Sequence, residues 1–420
     1  MYVIEDVKDD KYSMYLSCMI GIYIEIKNKR RTYFMKRKVL SAILCFSMAG
    51  MLFAGCGNNQ AAPAATEPAD DANTEAEEPA ADAQAQAPTK SEDNEGMMVY
   101  LVSKGFQHQY WQAVWQGAQE KAEELGVEVQ MQGPDTESDI AQQVQMLNTA
   151  IQLQPDAIGL AALDVSALND GIAQAQSAGI PIIGFDSGVP EAPEGAVYAN
   201  AATDNYAAGA LAAEETYKLI KDTIGSAQGS ARIGVMNQDA TAESIINRGL
   251  GFIDKMAELV IADGKTVSIV GNEKYVNDSM VTDKGEGGDV ILDVAVPSKV
   301  EAALSSTDAQ TLLNKEDIIC IYGSNQFSGE GLVNGDANIG KLGKDVVGIA
   351  FDSGTVIKDA VKSGKLAGAV TQSPLDIGRK TVELAVKAAK GESVADVDTG
   401  CQWFTAENME DPSIAPNLYD

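Results

Sequence analysis

At 420 residues the chain exceeds one ordinary domain of about 150 residues, so two or three units are expected. Its 31 Lys and Arg stand against 61 Asp and Glu, a formal net charge of −30, which excludes nucleic acid and an anionic membrane surface as main partners, because both are held by clustered cations. One histidine and five cysteines offer no cluster for zinc, and neither a metal nor a cofactor is expected.

The first element in the chain is an address. Met35-Lys36-Arg37-Lys38 and the apolar run Val39 to Ala54 have the basic-then-apolar order of a secretory signal. The run is short for a membrane span, which needs about 20 apolar residues. It closes on Leu52-Phe53-Ala54-Gly55-Cys56, which resembles a bacterial lipobox, with Phe53 where that motif usually has Leu. The resemblance implies a signal peptide over 35–56, lipidation of Cys56, and an extracytoplasmic protein tied to the membrane's outer face by its lipid alone. Residues 1–34 precede a natural start at Met35 and read as a non-native upstream extension; an extended signal and a plain transmembrane anchor are the alternatives. Residues 57–96 are mostly Ala, Pro, Asp, Glu, Gln and Thr, too poor in large apolar side chains to fold, and read as a disordered acidic tether.

From Met97 the chain alternates. The spacing predicts a strand over 97–103, a helix over 111–125 stopped by Gly126, a strand over 127–131 and a helix over 140–153. A strand over 156–161, a helix over 165–178 closed by Gly179 and a strand over 180–186 follow. After Thr203 the rhythm restarts with a helix over 206–221, a strand over 232–237, a helix over 242–261 and a strand over 267–270. The Gly- and Asp-rich stretch 272–298 reads as irregular. A helix over 300–313, strands over 318–322 and 346–352, a helix over 356–362, a strand over 366–371 and a helix over 377–390 complete the series. Apolar strands alternating with helices predict an α/β chain of parallel sheets.

One internal echo bears on function. Ile182-Ile183-Gly184-Phe185-Asp186-Ser187-Gly188 and Gly348-Ile349-Ala350-Phe351-Asp352-Ser353-Gly354 are both apolar strands ending Phe-Asp-Ser-Gly. Ligands of open α/β sheets bind beyond the carboxyl ends of the strands, so Asp186 and Asp352 are expected to face one cleft; turn-making and helix capping are the plainer roles. After the first strand, His108, Tyr110 and Trp111 form an aromatic and polar cluster suited to the C–H face and hydroxyls of a sugar. Trp111 is a site residue or part of the core, and Trp115, one turn on, is read as core. His108 is a ligand contact or a surface turn residue. Arg248 reaches the cleft or is a surface cation. Asn325 and Gln372 follow strands and are ligand amides or caps. Cys320 and Cys401 read as buried thiols, with a disulfide between them as the alternative.

These residues, with Pro155-Asp156-Ala157-Ile158, Ala178-Gly179-Ile180-Pro181, Thr203-Asp204-Asn205, Lys362-Ser363-Gly364-Lys365 and Gln372-Ser373-Pro374, resemble the type I periplasmic sugar-binding family near the ribose, galactose and xylose binders. The resemblance runs from Met97 to the end. It implies two doubly wound parallel-sheet lobes, 97–203 with 373–402 and 204–372 with 403–420, joined by a hinge of three crossings near Thr203, Gln372 and Trp403. It implies ligand contacts at Trp111, Asp186, Arg248, Asn325, Asp352 and Gln372, with His108 and Tyr110 nearby. The chain departs from ribose binders at Ser187, where they carry Arg, and across 272–298, where Tyr275 is the candidate for the missing aromatic plate.

The function so implied is capture of a small sugar or polyol by a monomeric lipoprotein and delivery to the permease subunits of an ABC transporter. A sensor of the same fold serving a receptor is the alternative. A surface hydrolase is the remoter one, since neither Gly-x-Ser-x-Gly nor His-Glu-x-x-His is present and His108 is the lone histidine. The lipobox and the lack of a basic helix-turn-helix argue against a transcription repressor.

Overall fold

The computed structural model describes residues 94–106 and 108–420. Cys56, the signal over 35–56, the extension 1–34 and the tether up to residue 93 lie outside the described residues. The tether is shorter than expected at its far end: Asn94 is buried and its amide donates to the Leu125 carbonyl at 2.7 Å. Among the described residues no helix is long and apolar enough to cross a membrane.

In chain order the first lobe supplies β1 (Met98–Val102), α1 (Gln109–Leu125), β2 (Glu128–Gln132), α2 (Ile140–Gln152), β3 (Ala157–Leu160), α3 (Asn169–Ser177), β4 (Ile182–Phe185) and β5 (Val197–Ala202). The second supplies α4 (Asn205–Ser226), β6 (Ala231–Met236), α5 (Glu243–Ala262), β7 (Val267–Gly271), α6 (Glu273–Asp278), β8 (Val290–Ala295) and α7 (Ala302–Leu313). It continues through β9 (Ile318–Gly323), α8 (Gln326–Gly335), β10 (Val347–Phe351), α9 (Thr355–Lys362) and β11 (Gly368–Gln372). The chain then returns as α10 (Pro374–Ala389) and β12 (Val397–Asp398) and crosses once more to β13 (Cys401–Phe404).

Two sheets result, one ordered β12-β5-β4-β3-β1-β2 and the other β13-β11-β10-β9-β6-β8-β7. Pairing is parallel throughout except where β13 runs antiparallel to β11. Strand periodicity sorts the core. Val99 and Leu101 of β1 face a layer holding α1 and α10, while Tyr100 and Val102 face one holding α2 and α3. In the second sheet Ile233 and Val235 face α4 and α5, and Met236 faces α7 and α8. Both faces are covered, as parallel sheets require.

Four local readings are corrected. The stretch 272–298 is not irregular: it carries α6 and the buried strand β8, which lies between β6 and β7. The helix expected from Val165 starts only at Asn169, because the Asp164 carboxylate accepts from the amides of Ser166 and Ala167 and holds a turn there. The strand β5 and the helix α8 are additional. The third crossing falls before Trp403: Thr399 still donates to Ala202 on the first sheet, Gly400 turns the chain at φ 75°, and Cys401 already pairs with Gln372 on the second. The other crossings fall between β5 and α4 and between β11 and α10.

Candidate functional site

The carboxyl ends of β1, β4, β9, β10 and β11 converge on a small cavity between the lobes, whose free space of about 30 Å³ in this closed form is room for roughly one water. All eight residues singled out from the sequence, His108, Tyr110, Trp111, Asp186, Arg248, Asn325, Asp352 and Gln372, line it. So do Lys104, Glu137, Ile245 and Gln326, which sequence reasoning did not single out.

The Phe-Asp-Ser-Gly echo is a structural echo. Asp186 and Asp352 both take the left-handed conformation, at φ 58° and 69°, just past β4 and β10. Asp tolerates that region better than most residues, and strain of this kind collects at functional sites. Asp186 Oδ1 accepts from the Tyr110 hydroxyl at 2.6 Å, and Oδ2 pairs with Lys104 Nζ at 2.9 Å. Asp352 Oδ1 accepts from Gln372 Nε2 at 2.7 Å, and Oδ2 accepts from the Gln326 amide at 3.1 Å with Arg248 Nη1 3.7 Å away.

Arg248 is held from several sides. Its Nε and Nη2 donate to Asn205 Oδ1 at 3.2 and 2.7 Å, Nη1 donates to the Ser324 carbonyl at 2.9 Å, and the guanidinium lies 3.8 Å over the Phe351 ring. Asn325 is both cap and cleft residue: its Oδ1 accepts from the amide of Ser328 at the start of α8, and its Nδ2 donates to Gln238 Oε1 at 2.8 Å. Trp111 Nε1 donates to Glu137 Oε1 at 2.8 Å. His108 lies edge-on to Phe327 of the other lobe, with its Nε2 buried and without a hydrogen-bond partner. Gln372 Oε1 is likewise buried and unpaired.

Burial dominates the electrostatics. It pushes the Asp352 carboxyl above its ordinary value against the pull of Arg248, and raises Asp239 behind the cleft. For Lys104 burial pulls downward, but Asp186, Glu137 and Asp239 outweigh it and leave the ammonium above its usual value. Burial and Asp186 carry the Tyr110 phenol well above its own. The cleft therefore sets two basic side chains, Lys104 and Arg248, among three acidic ones, Glu137, Asp186 and Asp352, and offers both donors and acceptors.

One sequence expectation changes. Tyr275 is no cleft plate: it is fully buried in the second lobe's core, its hydroxyl donating to the carbonyls of Asp239 and Ile245. Ile245 provides that lobe's apolar contact instead. Cys320 and Cys401 are free thiols, as expected, though Cys401 is only half-buried. Trp115 packs against the core as expected.

The lobes are closed on each other. Ser187, standing where ribose binders carry Arg, accepts the Ser244 amide of α5 at 3.2 Å. Lys104 Nζ donates to Ser244 Oγ at 3.0 Å, and the Gly188 amide donates to Glu243 Oε2 at 3.3 Å. Gln238 Nε2 reaches across to Glu137 Oε2 at 3.0 Å, and the Tyr110 amide to Gln326 Oε1 at 3.4 Å.

Two sheets with their strand ends apposed over a polar cleft define a clamshell binding protein, and a family profile described as a periplasmic binding protein domain matches residues 99–393. The chain belongs to that family, which is one of binding proteins rather than enzymes. It is 24% identical over 314 residues to the D-allose-binding periplasmic protein of Escherichia coli strain K12, covering 74% of this chain and 90% of that one. A Brachyspira murdochii protein described as an ABC transporter, LacI family transcriptional regulator, superposes with TM-score 0.65 at 35% identity, covering 79% of this chain and all of that one (100%). An ABC transporter solute-binding protein of Agrobacterium vitis, solved with D-fucose, superposes with TM-score 0.63 at 28% identity over 77% of this chain and 100% of its own.

Proposed function

We propose that this protein is the extracytoplasmic substrate-binding component of an ABC importer, anchored through a lipid on Cys56, and that it captures a small sugar or polyol between its lobes. The carrying observation is the pair of matched carboxylates, Asp186 and Asp352, presented by mirrored strand ends to one buried cavity. Ring hydroxyls would donate to these carboxylates and to Gln372 Oε1 and accept from Lys104 and Arg248, while Trp111 and Ile245 contact the ring's C–H surface. The relatives that bind D-allose and D-fucose support this ligand class. Ligand bridging both lobes would shift the population toward the closed form, which a permease can recognise.

A thermal-shift screen across pentoses, hexoses and polyols identifies the ligand, because binding to the native state alone raises the melting temperature. With that ligand, calorimetry on Asp352→Ala is expected to show a loss of about 2 kcal/mol or more, the low end for truncating one partner of a buried charged contact. Undiminished affinity would remove Asp352 from the site.

A further inference from the structure

The segment that follows β13 runs back to the cleft. Asn417 is tied beside the crossings: its carbonyl accepts from Thr371 Oγ1 at 2.9 Å, and its side-chain amide donates to Gln402 Oε1 at 2.9 Å. The next two side chains divide between the lobes. Leu418 packs on the second lobe's core and Tyr419 on the first lobe's. The Tyr419 backbone stays with the second lobe, its carbonyl accepting from the Gly354 amide at 3.1 Å and from Ser353 Oγ at 3.4 Å, directly after Asp352.

We propose that Tyr419 is a positioning residue, through which closure of the second lobe sets the Tyr110 hydroxyl on Asp186 of the first. The Tyr110 ring meets two others edge-on: Trp111 of its own lobe at 5.0 Å, and Tyr419 at 6.1 Å between centroids. Its hydroxyl donates to Asp186 Oδ1 at 2.6 Å, and its amide to Gln326 Oε1 at 3.4 Å. The Tyr419 hydroxyl donates to that same Gln326 oxygen at 3.4 Å and accepts the Ser353 amide at 3.4 Å. Both bonds are longer than the roughly 2.5–3.2 Å of strong ones, so the ring contact, not the phenol oxygen, carries the positioning. A Tyr110 held in place keeps one Asp186 oxygen occupied and aims the carboxylate into the cavity. A loose Tyr110 leaves Asp186 to Lys104 Nζ, which already holds the other oxygen at 2.9 Å. Fixing the acceptor beforehand lowers the ordering cost of binding. Because Tyr419 belongs to one lobe and Tyr110 to the other, the contact is made on closure, and its loss shows in the release of ligand rather than in capture.

The inference rests on the reading of the cleft as a sugar site, and the test separates the two. Wild type is titrated calorimetrically with D-ribose, D-xylose, D-galactose, D-glucose, D-allose and myo-inositol, and the tightest binder serves as the probe for every variant. Tyr419→Ala is expected to bind it about 5-fold more weakly or worse, the scale of one aromatic edge contact, with the loss appearing as faster dissociation in stopped flow. Tyr419→Phe keeps the ring and should stay within about 2-fold of wild type. Tyr110→Phe has no hydroxyl to set, so adding Tyr419→Ala to it should cost less than about 2-fold, a coupling that a residue acting only on stability would not show. A smaller loss than expected in Tyr419→Ala overturns the assignment, as does a larger one than expected in the Tyr110→Phe background, or a loss confined to association. If wild type binds none of the six, the sugar reading itself fails, and the assignment with it.

Discussion

Asp186 combines a strained backbone with a buried ion pair, and a single substitution separates the two. Asparagine also tolerates the left-handed region and keeps an acceptor for the Tyr110 hydroxyl, so Asp186→Asn removes little but charge. Lys104, only 3% exposed, would retain the Ser244 hydroxyl and its more distant carboxylates but lose its 2.9 Å partner. Breaking a buried pair costs about 3–5 kcal/mol, and the remaining carboxylates place this case near 3. Urea denaturation of the unliganded protein measures it, and Lys104→Met in the same chain should recover much of the loss. Equal stability of Asp186→Asn and wild type would show that the pair holds nothing. The aspartates were legible because the sequence repeats their whole strand end. Lys104 and Glu137 were not: each is meaningful only through a partner on a distant element, and the loop Gly133–Asp139 reads locally as a solvated acidic turn.

Helix crossings set the site's precision, and each lobe makes one on glycine. A Cβ on Gly251 of α5 would stand 2.1 Å from the Tyr206 carbonyl of α4, and one on Gly209 of α4 2.1 Å from the Arg248 carbonyl. The other lobe repeats the device, with Gly378 of α10 against the Val114 carbonyl of α1. These contacts place Arg248 and Trp111, each within one turn of its crossing. Gly251→Ala must push α4 and α5 apart, which costs about 1–3 kcal/mol as overpacking and moves the guanidinium away from Asp352. The expected result is a lower melting temperature together with weaker ligand binding. Gly225→Ala, in the same helix pair but with open space around it, should instead be neutral or stabilising by up to about 1 kcal/mol. The same non-local logic hid β8 and α8 from the sequence. In β8 the run Val290–Ala295 is broken by Asp293, whose partner is Arg232 on the neighbouring β6 at 2.7 Å. In α8 three glycines lower helix propensity, yet Gly331 lies against Ser305 of α7 with no room for a Cβ. Apart from β5, α6 and the short strands β12 and β13, the alternation of the remaining strands and helices, which needs only local apolar spacing, was readable.

For the molecule as a whole, closure buries acidic side chains, and this gives stability a predictable dependence on pH. Burial raises Asp352, Asp239 and Glu243, the last flanked by Asp186, Lys104 and Arg248 and seated against Gly188 of the opposite lobe. A carboxyl raised in the folded state binds more protons there than in the unfolded chain, so stability from these groups grows as pH falls from neutrality through their raised values toward the ordinary carboxylate range. The net charge of −30 acts in the same direction, because protonation relieves self-repulsion. Paired surface carboxylates oppose this only in stronger acid. Lys387 and Lys380 lower Glu383 to about 2, so its contribution is complete above its ordinary value and is lost as pH falls from there toward 2. The melting temperature should therefore pass through a maximum near pH ~5, above its value at pH 7 and at pH 3. Because the Glu243 contact exists only between closed lobes, Glu243→Gln should flatten the rise between pH 7 and 5 and leave the acid limb unchanged. Scanning calorimetry across that range decides the matter: a melting temperature that falls steadily from pH 7 to 5 would mean the buried acids are stabilised in their charged form, with the cleft's cations outweighing desolvation.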